Sequence, residues 1–298
     1  MNKTVFKGTC TAAITPFTEN GIDLEAFGRQ IDRQTENGIE ALCVLGTTGE
    51  ASTVTEEEYT IVASFAREKI GDKAKLILGT GSNCTKKAIE KSVLAQKLGA
   101  DGLLVVTPYY NKCTQKGLVK YYNDICENSE VPVICYNVPS RTGVNILPET
   151  MAEIAENPKI GGIKEACGNL VQIEKTAKLI AGKTALYSGD DGLNFDILKL
   201  GSYGLISVAS NVMPKEVGDV ARLFYSGDEA GAKALQEKLL PLMNAMFTEV
   251  NPIPVKKAAE LLGLDSGIVR APLTELEPQH EESLKQVLLS YGLKVKLQ

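Results

Sequence analysis

Ile160-Gly161-Gly162-Ile163-Lys164-Glu165-Ala166-Cys167 joins two patterns that seldom adjoin: an uncharged run of buried-strand character and a lysine that follows it without a break. Small and β-branched residues in unbroken series suit a strand covered on both faces. Regular alternation along it turns Ile160, Gly162 and Lys164 to one face and Gly161 and Ile163 to the other. Lysine is among the side chains least often buried. An ammonium drawn out of water loses hydration, which favours the free amine, and a free amine attacks carbonyls. The plainer alternative is a strand that ends here, with Lys164 reaching solvent beside Glu165.

Runs of the same character recur at Thr9–Ile14, Ala41–Leu45, Leu76–Gly79, Gly102–Val106, Val133–Tyr136, Ala185–Ser188 and Gly204–Ala209, which with Ile160–Lys164 makes eight. Helical signals fill the gaps. Asp23 to Gln34 is one such stretch, and Thr55-Glu56-Glu57-Glu58 has the order of a capping box at the start of another. Gly38, Gly71 and Gly99 stand where helices should end, and Pro148 and Pro214 where they should begin. Strands alternating with helices predict parallel βαβ units, and eight of them close naturally into a (β/α)8 TIM barrel. A doubly wound open sheet would carry Gly-x-Gly-x-x-Gly after its first strand, but Thr15-Pro16-Phe17 follows Ile14 and Gly79-Thr80-Gly81-Ser82-Asn83 lacks the third glycine. Past the eighth run, Met213 to Phe224, Glu229 to Val250, Pro254 to Gly263 and His280 to Tyr291 read as helices, with Asn251-Pro252-Ile253-Pro254 separating the second from the third. The expected organisation is a barrel over residues 1–225 and a C-terminal helical extension over 226–298.

A net charge of −5, with 23% charged residues and no long like-charge runs, argues against nucleic acid and anionic membranes as partners. The first residues lack the apolar core of a signal peptide and no stretch approaches the roughly 20 apolar residues of a membrane span, so a cytoplasmic protein is expected. Seven scattered cysteines without a Cys-x-x-Cys pair make a disulfide framework or structural zinc improbable. The single histidine, His280, lies in an acidic segment near the C-terminus, which disfavours metal hydrolase and Ser-His-Asp chemistry. Acid–base work then falls to tyrosine, lysine or carboxylates.

Barrel enzymes build their sites at the C-terminal ends of the strands. There the chain offers Gly46-Thr47-Thr48-Gly49-Glu50, Thr107-Pro108-Tyr109-Tyr110-Asn111, Tyr136-Asn137-Val138-Pro139-Ser140-Arg141-Thr142-Gly143, Lys164 and Ser188-Gly189-Asp190-Asp191-Gly192. No other lysine ends a run, since Lys75 and Lys183 lie at the opposite ends. Taken singly, Tyr136 is as readily a core aromatic, Arg141 a surface charge, and Thr47 and Thr48 turn residues. Together they supply an amine nucleophile, a proton carrier and carboxylate holders. Two acidic residues after the seventh run disfavour a phosphate site there, which points to unphosphorylated carboxylates as substrates.

The motifs Gly46–Glu50, Tyr136–Gly143 and Gly162-Ile163-Lys164-Glu165-Ala166, with Asn251-Pro252-Ile253-Pro254-Val255-Lys256, resemble the dihydrodipicolinate synthase family, class I aldolase-type barrels, along nearly the whole chain. The resemblance implies condensation of pyruvate with L-aspartate 4-semialdehyde and needs no metal or organic cofactor. It implies that Lys164 forms the imine, and that Tyr136 moves protons through Thr47 and through Tyr110 of a neighbouring subunit. Thr47 and Thr48 would hold the pyruvate carboxylate, Arg141 the semialdehyde carboxylate, and backbone at Gly189 and Ile206 would complete the pocket. A homotetramer, built as a dimer of dimers, comes with it. The nearest rivals are N-acetylneuraminate lyase and the 2-keto-3-deoxy sugar acid aldolases, against which Arg141 stands. A catalytically silent carboxylate binder is opposed by the joint presence of Lys164 and Tyr136. Many family members are inhibited by L-lysine at a subunit interface. Here the matching positions hold Glu56, Tyr59 and Lys87 beside the fitting Asn83 and Tyr109, and the positive charge of Lys87 implies weak inhibition or none.

Overall fold

The computed structural model describes residues 4–296. Eight parallel strands form a closed barrel: β1 (Gly8–Ala12), β2 (Ala41–Val44), β3 (Lys75–Gly79), β4 (Gly102–Val106), β5 (Val133–Asn137), β6 (Ile160–Glu165), β7 (Ala185–Ser188) and β8 (Gly204–Ser207). Each pairs with its successor, and β8 closes on β1 from Gly8↔Gly204 to Thr11↔Ser207. Around them, in chain order, lie α1 (Leu24–Glu36), α2 (Glu56–Ile70), α3 (Thr85–Lys97), α4 (Gln115–Glu127), the short α5 (Pro139–Thr142), α6 (Pro148–Ile154), α7 (Leu170–Ile180) and α8 (Asn194–Lys199). The chain then continues through α9 (Pro214–Tyr225), α10 (Glu229–Ala245), α11 (Ile253–Leu261) and α12 (Pro278–Ser290). This is the TIM barrel with a helical C-terminal extension that the alternation of runs and helices predicts.

Local chemistry sets the boundaries. Asp23 caps α1 by accepting from the Ala26 N–H at 2.8 Å, and Thr55 and Glu58 form the reciprocal capping box of α2. Two runs end as strands earlier than their composition suggests, because side chains take over the backbone groups that a ladder would use. The Asp191 carboxylate accepts the Val208 and Ala209 N–H groups at 2.8 and 3.3 Å, so β8 stops at Ser207 and a 3₁₀ turn, Ala209–Asn211, follows. Asn211 in turn accepts from Ile14 N at 3.2 Å and donates to Ala12 O at 2.8 Å, which ends β1. The helix expected up to Val250 stops at Ala245, and the chain turns instead toward the mouth of the barrel.

Strict alternation fails in β6. Val133 pairs with Ile160 but Ile134 pairs with Gly162, so Gly161 is an extra residue in the ladder. Ile160 consequently packs with Ile163 in the layer between barrel and helices rather than sharing a face with Gly162 and Lys164. Gly162 faces inward, and a Cβ there would lie 2.7 Å from the Tyr187 ring, so only glycine leaves room for that tyrosine. Tyr187 stacks on Phe6 at 4.4 Å between centroids and donates its hydroxyl to Phe6 O at 2.8 Å, closing the N-terminal end of the barrel. Above it the interior is filled by Cys10, Cys43, Ile77, Leu104, Ile134 and Ile206. Burial of each isoleucine and leucine among them contributes about 1.5–3 kcal/mol.

The extension has no core of its own. Leu239, Leu242 and Met243 of α10, Val255 and Ala258 of α11, and Leu284 and Leu288 of α12 join one cluster with Leu205 of β8, Leu198 of α8 and Val217 of α9. Among the described residues no helix is long and apolar enough to cross a membrane.

Candidate active site

The β6 bulge sends Lys164 into the barrel at the C-terminal end of its strand. It is 5% exposed, and its ammonium stands 4.3 Å from the centroid of the Tyr136 ring on the adjacent β5. Among the described residues it makes no ion pair. Glu165, its neighbour in sequence, faces the other way and is fully buried. The Glu165 carboxylate accepts from Asn137 Nδ2 at 3.0 and 3.1 Å and from Cys167 N at 2.9 Å, while burial raises its pKa. Asn137 also donates to Asn145, which is bonded to Gln172. This polar network locks the ends of β5 and β6 together behind the lysine and tyrosine. Solvent therefore does not receive Lys164, and the carboxylate beside it in sequence does not neutralise it.

Gly189, at the end of β7, donates its N–H to Glu165 O at 2.7 Å. A Cβ there would come within 3.0 Å of Lys164 Cε, so glycine is what lets the lysine stem pass. Ile206 is fully buried in the interior cluster that also contains Tyr136. Cys10 and Cys43 lie in that cluster too. Burial pushes the Cys43 thiol up to about 11 and that of Cys10 well above its ordinary value, with Lys164 opposing in both cases. They are neutral, inert fillers.

Beyond Tyr136 a cavity of about 290 Å³ opens at the C-terminal end, lined by Thr47, Arg141, Thr142, Tyr109, Ser52 and Lys91 among others. Among the described residues no carboxylate lines it. Thr48 is 3% exposed and its hydroxyl accepts from Asn251 Nδ2 at 3.0 Å. Arg141 donates from Nη2 to Asn251 O at 3.1 Å. Tyr110 is not brought in: it is 91% exposed, with φ at 70°, and projects from the loop after β4. A larger hollow of about 460 Å³ lies at the opposite end, beside Thr4, Lys183 and Tyr203. Among the described residues it has no nucleophile–base pair, and it sits on the face where barrels carry stability rather than catalysis.

Several residues that build the site carry weak signals in sequence. The extension grips the loops at the barrel mouth: Lys256 donates to Thr15 O at 2.9 Å and Glu50 Oε1 at 2.8 Å, and Gln236 to Asp191 O at 2.9 Å. Lys256 is fully buried, and the only sign of it in sequence is a lysine inside the apolar run Ile253–Leu261. Nothing in the sequence around Lys91 marks it as a wall of the cavity. Its ammonium lies 4.6 Å from the Tyr59 ring centroid, burial lowers its pKa, and Glu56 opposes that shift. Asp191, one of the acidic pair after β7, occupies with its carboxylate the N–H groups of Val208 and Ala209 that an incoming phosphate would need. Among the described residues no group of three or more His, Cys, Asp or Glu is placed to hold a metal.

A closed barrel carrying a buried lysine at the end of a strand, against a tyrosine and a cation-lined cavity, defines a lyase of the class I aldolase type. Residues 5–290 match the dihydrodipicolinate synthetase family, and the chain belongs to it. It is 46% identical to 4-hydroxy-tetrahydrodipicolinate synthase of Caldicellulosiruptor saccharolyticus over 293 residues, covering 98% of this chain and 99% of that one. Among solved structures, dihydrodipicolinate synthase from Thermotoga maritima superposes with a TM-score of 0.95 at 43% identity, over 97% of this chain and 99% of that one. The chloride-inhibited dihydrodipicolinate synthase from Acinetobacter baumannii complexed with pyruvate does so at 0.94 and 41%, with the same coverage.

Proposed function

We propose that the enzyme condenses pyruvate with L-aspartate 4-semialdehyde through an imine on Lys164. The observation that carries this reading is the buried ammonium 4.3 Å from the Tyr136 ring, free of any carboxylate partner among the described residues. Lys164 Nζ adds to the pyruvate ketone, water leaves, and the protonated imine acidifies the adjoining methyl group. Loss of a methyl proton gives an enamine, whose carbon attacks the aldehyde carbon of the second substrate while the aldehyde oxygen takes up a proton. The α-amine of that substrate then adds to the imine carbon and displaces Lys164, which regenerates the free enzyme.

Tyr136 is assigned the proton transfers at the imine and aldehyde carbons, relayed through Thr47 on the cavity wall. Thr48 and Thr47 hold the pyruvate carboxylate, with backbone at Gly189 and Ile206 closing the pocket. Arg141 takes the semialdehyde carboxylate in a bidentate fork. A cavity with two cations and no acid in its lining suits two carboxylate substrates better than a neutral polyhydroxy chain. The exposed Tyr110 fits an assembly in which that residue of one copy completes the relay of another, as in a dimer of dimers. The test is a coupled assay with each candidate substrate: turnover with pyruvate and semialdehyde is expected, and cleavage of N-acetylneuraminate in its place would refute the assignment.

A further inference from the structure

Asn251 lies in the turn between α10 and α11, outside the barrel in sequence, yet it touches Thr48 and Arg141, the two residues assigned above to substrate carboxylates, which follow different strands, β2 and β5. Its side-chain amide donates to Thr48 Oγ1 at 3.0 Å, and its main-chain carbonyl accepts from Arg141 Nη2 at 3.1 Å. The residue is 5% exposed, and its Oδ1 is a buried acceptor without a partner among the described residues. A buried amide with one unsatisfied oxygen costs stability, and such groups are rare in native structures, so its presence calls for a reason. Here the polarity of the Thr48 contact supplies a reason. A threonine hydroxyl has one proton and two lone pairs. With one lone pair engaged by Asn251 N–H, the Thr48 proton is left to be donated elsewhere, and an anionic carboxylate is the acceptor best served by a fixed O–H.

We propose that Asn251 is a positioning residue that sets the Thr48 hydroxyl as a donor toward the pyruvate carboxylate, while its backbone steadies the Arg141 fork. The extension then completes the substrate site rather than merely covering the barrel. This rests on the assignment of Thr48 to pyruvate given above. It predicts that the side chain of Asn251 matters for pyruvate and its backbone for the semialdehyde, because only the side chain reaches Thr48.

A double-mutant cycle separates this role from a structural one. Asn251→Ala is expected to raise the KM for pyruvate roughly tenfold, the equivalent of about 1.4 kcal/mol for one charge-assisted hydrogen bond. The KM for the semialdehyde should change little, since alanine keeps the carbonyl that Arg141 uses. In a Thr48→Val background the same substitution should add almost nothing to the KM for pyruvate. Should Asn251→Ala lose its native circular dichroism, Asn251→Leu, close in volume and without a donor, takes its place in the cycle. Independent, additive effects of the two positions would overturn the proposal, as would an unchanged KM for pyruvate in the single variant. A normal KM in Thr48→Val alone would overturn it at its root, by removing Thr48 from the pyruvate site.

Discussion

Replacing Lys256 by methionine keeps most of the side-chain volume but strands a buried carboxylate. Lys256 is fully buried and Glu50 is 2% exposed; their 2.8 Å contact joins α11 to the turn that carries Thr47 and Thr48. The ammonium also donates to Thr15 O at 2.9 Å and lies 4.1 Å from the Phe17 ring centroid. Burial pulls the Lys256 pKa down and Glu50 pushes it back up. In Lys256→Met the Glu50 carboxylate retains the Arg270 N–H at 2.9 Å, and Thr15 O loses its partner. Removing one member of a buried pair costs about 3–5 kcal/mol. At about 2–4 °C per kcal/mol for a chain of this size, Tm should fall by about 6–20 °C in thermal unfolding followed by circular dichroism. Glu50→Gln combined with Lys256→Met removes the stranded charge and should recover most of the loss, because neutral replacements of a buried pair are often near neutral. A Tm for Lys256→Met within about 2 °C of the parent, or a double variant no better than the single one, would refute the reasoning.

Tyr136→Phe keeps the ring beside Lys164 and removes the proton carrier; turnover should drop by roughly 10²–10⁴ while the pyruvate imine still forms. Stopped-flow turnover near the parent rate would exclude Tyr136 from proton transfer. Arg141→Ala should raise the KM for the semialdehyde strongly and leave the pyruvate imine trappable, and loss of trapping in the folded variant would reassign the arginine. L-Lysine should inhibit weakly or not at all. Lys91, half-buried at the cavity wall against Tyr59, joins the exposed Lys87 on α3 in repelling a cationic ligand. Strong inhibition at sub-millimolar lysine in the steady-state assay would show that Glu56 or another acid compensates.

Much of the barrel is legible in the chain because a parallel strand buried on both faces has a distinctive composition and repeats eight times. Lys164, Tyr136 and Arg141 are legible as candidates because barrels put function at strand ends, and a rule of position needs no side-chain geometry. What escapes is whatever depends on contacts between distant segments. The bulge at Gly161 shows only in the pairing of β6 with β5, and no local pattern marks it. The early ends of β1 and β8 come from Asn211 and Asp191, side chains that stand in for strand partners. The grip of the extension on the mouth, through Asn251, Lys256 and Gln236, joins residues far apart in sequence. Tyr110 is legible as a candidate from its loop, yet a single chain leaves it in solvent.

Covalent trapping tests Lys164 as the nucleophile directly, without any coupled enzyme. Borohydride added with pyruvate should reduce the imine to a stable secondary amine, inactivate the enzyme, and add one pyruvate-derived group per chain. Peptide mass mapping should place that group on Lys164, and Lys164→Ala should take up none. Labelling at another lysine, or no pyruvate-dependent labelling at all in the active enzyme, would rule out Lys164 as the nucleophile.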